Sequence, residues 1–394
     1  ATHQPVPGNA ADMEVTFFAH MAVLRRTENG FISTLEVCVA PDDPIEIRRL
    51  NLQNSHDKPH NLRLTSYGEV ILAPQAADAR HPAFNKLFIE SEFVPEMNLQ
   101  IFTRRQRSDQ EPAIFMGHML VFESDLTTVQ HEADRYQFIG RDRTLRNPVC
   151  LTSHKYLSGT TGATLDPIFA LGNEVRLGAH ESVNLAYLNF AAETREGILA
   201  LARRYRNWKM IEQSFRQAEI AAQALLGKQE ITNEVFMDIS QVLSALLFSF
   251  KSVRAAPESI AANKLGQSGL WRFGISGDYP ILLVELDSPD QIDLASEVLQ
   301  MHRYLRSHRF MMDVVLINFQ ETNYGAELKG VLYRLVSKLN GEESLNQRGG
   351  IYILHGDHMT PEERILLETA AHLVLSGAKG SLGKQMPGYF VPVH

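Results

Sequence analysis

The segment Lys264 to Pro280, KLGQSGLWRFGISGDYP, sets four glycines (Gly266, Gly269, Gly274, Gly277) around Trp271, Arg272, Phe273 and Asp278. Glycine at this density lets the backbone take positive φ and approach another surface closely. A Trp and an Arg held among such turns can stack on a sugar or a partner and hydrogen-bond to it. The competing reading, which spacing alone favours, is a connector whose Trp plugs a core. A second group lies in RTLRNP (Arg143–Pro148) and LSGTTGATLDPIF (Leu157–Phe169). There Arg141, Arg143 and Arg146 sit near hydroxyl-rich turns with Thr160, Thr161 and Asp166. Planar donors beside short polar side chains suit carbohydrate hydroxyls. They equally suit loops of a sandwich pinned to one another, and that reading stands slightly ahead.

Other combinations point to weaker chemistry. Asp287, Asn318, Gln320, His355 and Asp357 follow three apolar runs, where a parallel sheet would gather them for a small ligand. No glycine-rich loop follows the first run, and the acidic Asp287-Ser288-Pro289-Asp290 would repel a phosphate. A helix-capping cluster is the better reading. His355-Gly356-Asp357-His358 and His56-Asp57-Lys58-Pro59-His60 lack metal-ligand spacing and Cys support, so they read as solvated turns. Glu90 and Glu92 in FIESEF share a strand face. Paired carboxylates at roughly 5–9.5 Å can cleave glycosides, but acids at i and i+2 usually mark a wet face. There is no Gly-x-Ser-x-Gly elbow, P-loop or Asp-x-Asp pair. The residues therefore indicate no catalytic site, no metal and no cofactor.

The elements that would position these groups follow from periodicity. From about Met13 to Phe190 the sequence reads as β. In TLEVCV, Leu35, Val37 and Val39 alternate with polar neighbours. IEIRRLNL changes phase between Ile47 and Leu50, which a β-bulge near Arg48–Arg49 would explain. Many short strands with frequent turns indicate a large antiparallel sandwich. Apolar residues then fall at helical spacing in three amphipathic helices between about 193 and 251. ILLVEL, VVLI and IYIL are continuous apolar runs that fit strands of a parallel sheet buried on both faces. Helices begin at Ser288-Pro289-Asp290 and at Thr360-Pro361-Glu362-Glu363, the latter running to a stop at Gly377. The expected organisation is a sandwich over 1–192, a helical linker over 193–265, the Gly/Trp loop and a small α/β unit over 266–382, and a tail over 383–394.

Bulk composition sets limits on partners. The chain has 394 residues, of which 44% are hydrophobic and 21% charged, and a formal net charge of −8. That charge, with no Lys/Arg-rich tract, argues against nucleic acid. Cys38 and Cys150 suggest no disulfide framework and fit a reducing compartment. No apolar run approaches the roughly 20 residues that cross a bilayer, so no direct membrane insertion is expected. The opening ATHQPVPGNAADMEV carries no initiator Met and no signal peptide, as expected of an excised piece of a longer protein.

Five segments together resemble the cyclic β-1,2-glucan synthases: LEVCVAPDDPIEIRRLNLQN, LTSYGEVILAPQAADARHPAFNKLFIESEFVPE, GRDRTLRNP, LSGTTGATLDPIFAL and LGQSGLWRFGISGDYPILLVEL. The likeness runs from about residue 30 to about residue 382. It implies a parent with a membrane-embedded glycosyltransferase at one end and a phosphorylase-type module of glycoside hydrolase family 94 at the other, formerly glycosyltransferase family 36. This chain is similar to a central segment, with a galactose-mutarotase-like supersandwich. The resemblance implies a cytoplasmic location as a soluble part of a bacterial inner-membrane protein. It implies β-glucan oligosaccharide or polysaccharide and the parent's other domains as partners. The Trp-Asn-Asp-like surroundings of the phosphorylase acid have no counterpart here, so no catalytic residue carries over. The expected function is a non-catalytic carbohydrate-binding or scaffolding segment, with Trp271, Arg272, Asp278, Arg143, Arg146, Thr160 and Thr161 as sugar contacts. The alternatives are the N-terminal part of a family 94 phosphorylase lacking its barrel, and a protein–protein docking module.

Overall fold

A computed structural model describes residues 13–386 except 107, 109–110, 124–128, 153–155, 249 and 320–324. The chain forms two compact units, residues 1–224 and 225–394.

Among the described residues, the first unit holds thirteen strands. They are β1 Met13–Phe17, β2 Met21–Glu28, β3 Phe31–Val39, β4 Ile45–Asn54, β5 His60–Thr65, β6 Gly68–Glu69, β7 Ile89–Val94, β8 Leu99–Arg104, β9 Phe115–Phe122, β10 Gln130–Asp134, β11 Gly162–Ala163, β12 Pro167–Leu177 and β13 Ser182–Ala192. Nine of them make one sheet in the order β1-β2-β3-β4-β13-β9-β8-β7-β11, and β10-β12-β5 with β6 make a second. All the pairings are antiparallel. The expected large sandwich is therefore present.

The bulge expected near Arg48–Arg49 is absent. β4 keeps continuous register with β3 and with β13 throughout. The change of phase has another cause. Ile45 and Ile47 point to the face covered by the helices Arg195–Tyr205 and Trp208–Lys228, where they meet Leu188, Phe190, Ile198 and Phe215. Leu50 and Leu52 point to the opposite face, against Leu171, Val175 and Leu177 of the second sheet. One regular strand is buried first on one side and then on the other.

A bulge does occur in β10, where register with β12 shifts between Glu132 and Asp134. Gln100 from β8 reaches it across the sandwich. Its carboxamide donates to Glu132 O and accepts from Ala170 N, both at 3.0 Å. Glu132 and Ala170 oppose one another in the ladder, so the side chain completes a rung between them. Such satisfaction is required because an unpaired backbone group in this position would be buried.

The second unit is built on a parallel sheet of β14 Ile281–Leu286, β15 Asp313–Asn318, β16 Ile351–His355 and β17 Leu373–Ser376, in the order β16-β15-β14-β17. The three expected runs are strands. The fourth corrects the expected helix, which runs only over Pro361–Ala370 and does not reach Gly377. Leu373 and Leu375 are buried beside β14, and LVLS gains more as an edge strand paired in parallel with β14 than as a last helical turn. The start of that helix has the expected N-cap, and the structure closes it as a capping box: Thr360 Oγ1 accepts from Glu363 N, and Glu363 Oε2 accepts from Thr360 N at 2.9 Å. Helices over Asn233–Leu247, Ile292–Ser307 and Gly325–Asn340 pack on one face of the sheet. The other face takes the helix Pro361–Ala370 and the Gly/Trp loop.

Among the described residues, no helix is long and apolar enough to cross a membrane. Cys38 and Cys150 are buried free thiols, and burial pushes both up, Cys38 to about 11 and Cys150 to about 12.

Candidate functional site

The Gly/Trp loop is a framed structure. Gln267–Phe273 forms a 3-10 helix that ends on Gly274, whose φ is +75°. At three residues per turn, Leu270 and Phe273 fall on one side and Trp271 on another. Leu270 is the residue that enters the core, with Ile275, Leu283, Tyr352 and Leu366. Trp271 does not plug it and stays 65% exposed. A Cβ on Gly269 would stand 2.6 Å from a Leu366 methyl, so any larger residue there would make Leu366 shift. Arg272 Nη1 donates to Glu363 Oε1, tying the loop to the capping box of the neighbouring helix. Asp278 pairs with Arg348 at 3.2 Å, and the Arg348 guanidinium lies over the Tyr279 ring at 4.6 Å.

Beneath this loop is a groove of about 320 Å³. It lies at the amino ends of β14 and β17, since Ile281 opens the first and His372 precedes the second. Leu270, Ile281 and Leu366 supply apolar surface, and Gln267, Tyr279, Thr369 and His372 supply polar groups. Burial, and then the Arg254 charge, push the His372 pKa down and favour a neutral ring. Thr369 Oγ1 is buried and has no hydrogen-bond partner.

The carboxyl ends of the strands, where open α/β sheets usually hold ligands, are arranged differently. The strand order reverses between β14 and β17, which would open a crevice there. Gln291 occupies it. Its Oε1 accepts from Asp287 N at 2.8 Å and lies where a Cβ on Gly377 would stand. Ser288 donates to Asp290. Asn318 is buried, the rings of His355 and His358 are 5.8 Å apart, and Gln320 lies outside the described residues. No group of three or more His, Cys, Asp or Glu that could hold a metal ion occurs among the described residues.

The remaining candidates belong to the first unit, so the predicted contacts are divided between two units. Arg143 donates to Thr152 Oγ1 and to Asn147 O at 3.2 Å, which folds its loop back on itself. Arg146 and Thr161 are exposed, and Thr160 Oγ1 lies 3.4 Å from Ser158 Oγ. Asp166 takes an ion pair from Lys86 at 2.6 Å and another from Arg135 at 3.6 Å. Glu92 pairs with Arg195 at 2.6 Å rather than with Glu90.

Two polar networks were not anticipated. Buried Glu132 accepts from Ala133 N and Asp134 N, and from Ser158 N and Oγ, so one carboxylate fixes the start of the Leu157–Phe169 loop. His118 Nε2 lies 2.8 Å from Ser66 Oγ, and its Nδ1 lies 2.7 Å from Asn189 Oδ1. This Ser-His-Asn chain has the spacing of an activated nucleophile. However, Ser66 Oγ also accepts from Leu171 N at 2.9 Å, and His118 is buried against Phe169. It is a bridge between the sheets. Single Ser, His and Asn residues far apart in sequence carry no local signal of such a bridge. Thr369 and His372 were missed because the strand they precede was read as helix.

A family model for the glycosyl hydrolase 94 supersandwich domain matches residues 1–208. The chain is 28% identical over 388 residues, 98% of its length, to cyclic beta-(1,2)-glucan synthase NdvB of Rhizobium meliloti (strain 1021), and spans 14% of that protein. Solved structures overlap it partially. One described as a kojibiose phosphorylase from the human microbiome covers 52% of this chain and 23% of its own at 8% identity, with a TM-score of 0.29. A polysaccharide lyase covers 44% and 22% at 12% identity, with a TM-score of 0.28. Overlaps this small carry no argument.

Proposed function

The chain belongs to the glycosyl hydrolase 94 supersandwich family, and from that premise we propose that it is a non-catalytic glycan-binding or scaffolding segment of a cyclic β-1,2-glucan synthase-like enzyme. The relative that matches along 98% of the chain supports the choice of glycan. The partners under this reading are β-glucan chains and the parent's other domains.

The observation that carries the proposal is the exposure of Trp271 on a fixed frame. Leaving a large aromatic in water forgoes about 2 kcal/mol of burial. The frame that presents it is held by Leu270 in the core and by Arg272 on Glu363. A rigid, exposed indole with polar neighbours suits stacking on the apolar face of a sugar. In the first unit, Arg146, Thr160 and Thr161 are the further contacts we assign, with Arg143 shaping their surroundings.

Isothermal titration of the 394-residue chain with β-1,2-linked glucose oligosaccharides tests the proposal. Heat of binding at millimolar ligand or below is expected. Its absence would remove the glycan-binding version and leave scaffolding or docking. The alternative, the leading part of a family 94 phosphorylase, requires an (α/α)6 barrel with a Trp-Asn-Asp-like acid encoded directly downstream in the parent gene.

A further inference from the structure

We infer that the groove at the amino ends of β14 and β17 is a binding site for a neutral sugar ring. This rests on reading the chain as a glycan-binding segment and names the place in it where one residue of the glycan is held. The volume, about 320 Å³, falls at the lower end of small-ligand pockets. The lining has the two-sided character of a pyranose. Leu270, Ile281 and Leu366 offer apolar surface to the C–H face, and Gln267, Tyr279, Thr369 and His372 offer donors and acceptors to hydroxyls.

Thr369 adds a separate indication. It lines the groove, yet its hydroxyl is shielded from solvent without a hydrogen-bond partner. Buried polar atoms are rarely left so, and a turn about χ1 would present this one to a ligand hydroxyl in the groove. The charge character selects the ligand class. Among the described residues, no Asp, Glu, Lys or Arg side chain lines the groove. Burial and the Arg254 charge keep His372 uncharged. Its Nδ1 is 3.4 Å from Ile281 N, an arrangement in which Nε2 carries the proton. The lining itself offers no charged side chain to pair with a carboxylate or ammonium on a sugar, which favours a neutral ring.

Gly266 provides a clean way to close the site. It lines the groove, has φ −98°, and a Cβ built on it meets nothing within 4 Å. A larger side chain therefore fits the backbone at this place on the lining and can project over the groove. Wild type, Gly266→Phe and Thr369→Val would be titrated with a β-1,2-linked glucose oligosaccharide, with glucose and with glucuronate. The expected result is a loss of affinity of at least tenfold in Gly266→Phe. For Thr369→Val, which removes one hydrogen bond, about fivefold is expected. Glucose should bind more tightly than glucuronate, and the melting temperatures should stay close to wild type. If Gly266→Phe fails to fold, Thr369→Val alone carries the comparison. Wild-type affinity in the groove variants would overturn the groove assignment while the glycan-binding reading survived. Tighter binding of glucuronate would overturn the neutral-ligand assignment. No binding of any sugar by wild type would overturn both readings.

Discussion

Arg272 donates a hydrogen bond to Glu363, and the same carboxylate closes the capping box of the helix Pro361–Ala370 by accepting from Thr360 N at 2.9 Å. The carboxylate is nearly buried, with 11% of its side chain exposed, while the guanidinium is 61% exposed. One residue thus fixes both the helix start and the loop that presents Trp271.

Glu363→Ala is therefore expected to cost more than Arg272→Ala. The first loses the cap and the loop anchor together, about 1–2 kcal/mol. The second loses a largely exposed partner, about 1 kcal/mol or less. Urea unfolding of the two variants checks the order. Equal losses would show that Arg272 does more than hold Glu363.

Trp271→Ala should leave stability within about 0.5 kcal/mol of wild type, because the side chain is mostly in water. Binding of β-1,2-glucan oligosaccharides should weaken at least tenfold. Calorimetry and a thermal melt on the same samples separate the two effects. A destabilised variant with unchanged binding would make the loop a connector.

His118 gives a signed pH prediction. Burial pushes its pKa down to about 3 in the folded chain, against an ordinary 6.5. Between those values the unfolded chain binds a proton that the folded chain refuses. Its contribution to stability is thus complete above about 6.5 and falls away as pH drops, by up to about 1.4 kcal/mol per pH unit. His118→Gln should flatten this part of the acid slope in urea melts from pH 4 to 8. His302, pushed down to about 4 by burial, acts in the same direction and supplies a residual slope.

Asp313 predicts the opposite sign. It is fully buried, Oδ1 accepts from Gly349 N at 2.7 Å, and Oδ2 has no hydrogen-bond partner. Burial raises its pKa above the ordinary 3.8, so the folded chain holds this proton more tightly than the unfolded one. Stability from this group is present at low pH and is lost as pH rises through the raised value. Asp313→Asn keeps an acceptor for Gly349 and removes that loss. The variant should melt above wild type at pH 7, with the gap closing as the pH approaches 4.

Much of the fold was legible in the residues. Period-two alternation marked the sandwich strands, helical spacing marked the three helices, and Thr360-Pro361-Glu362-Glu363 marked a helix start. The candidate site was half legible. The glycines and Trp271 stood out as a unit, and Gln267 and Tyr279 of the groove lie within that unit. Thr369 and His372 did not stand out, because nothing near them in sequence announces what they face.

What the sequence determined by itself was therefore local. Backbone sterics set the period of a strand or helix, and a cap is satisfied within four residues, so neighbours suffice to specify them. Its long motifs also carried the family likeness. The tertiary structure decided which side of each element is covered. Ile47 and Leu50 face opposite ways on one unbroken strand because helices cover one side and a second sheet the other. It also decided that Leu270, and not Trp271, enters the core, and that Arg272 finds Glu363 ninety-one residues away. Burial and hydrogen-bond partners depend on segments distant in the chain, and no local pattern encodes those.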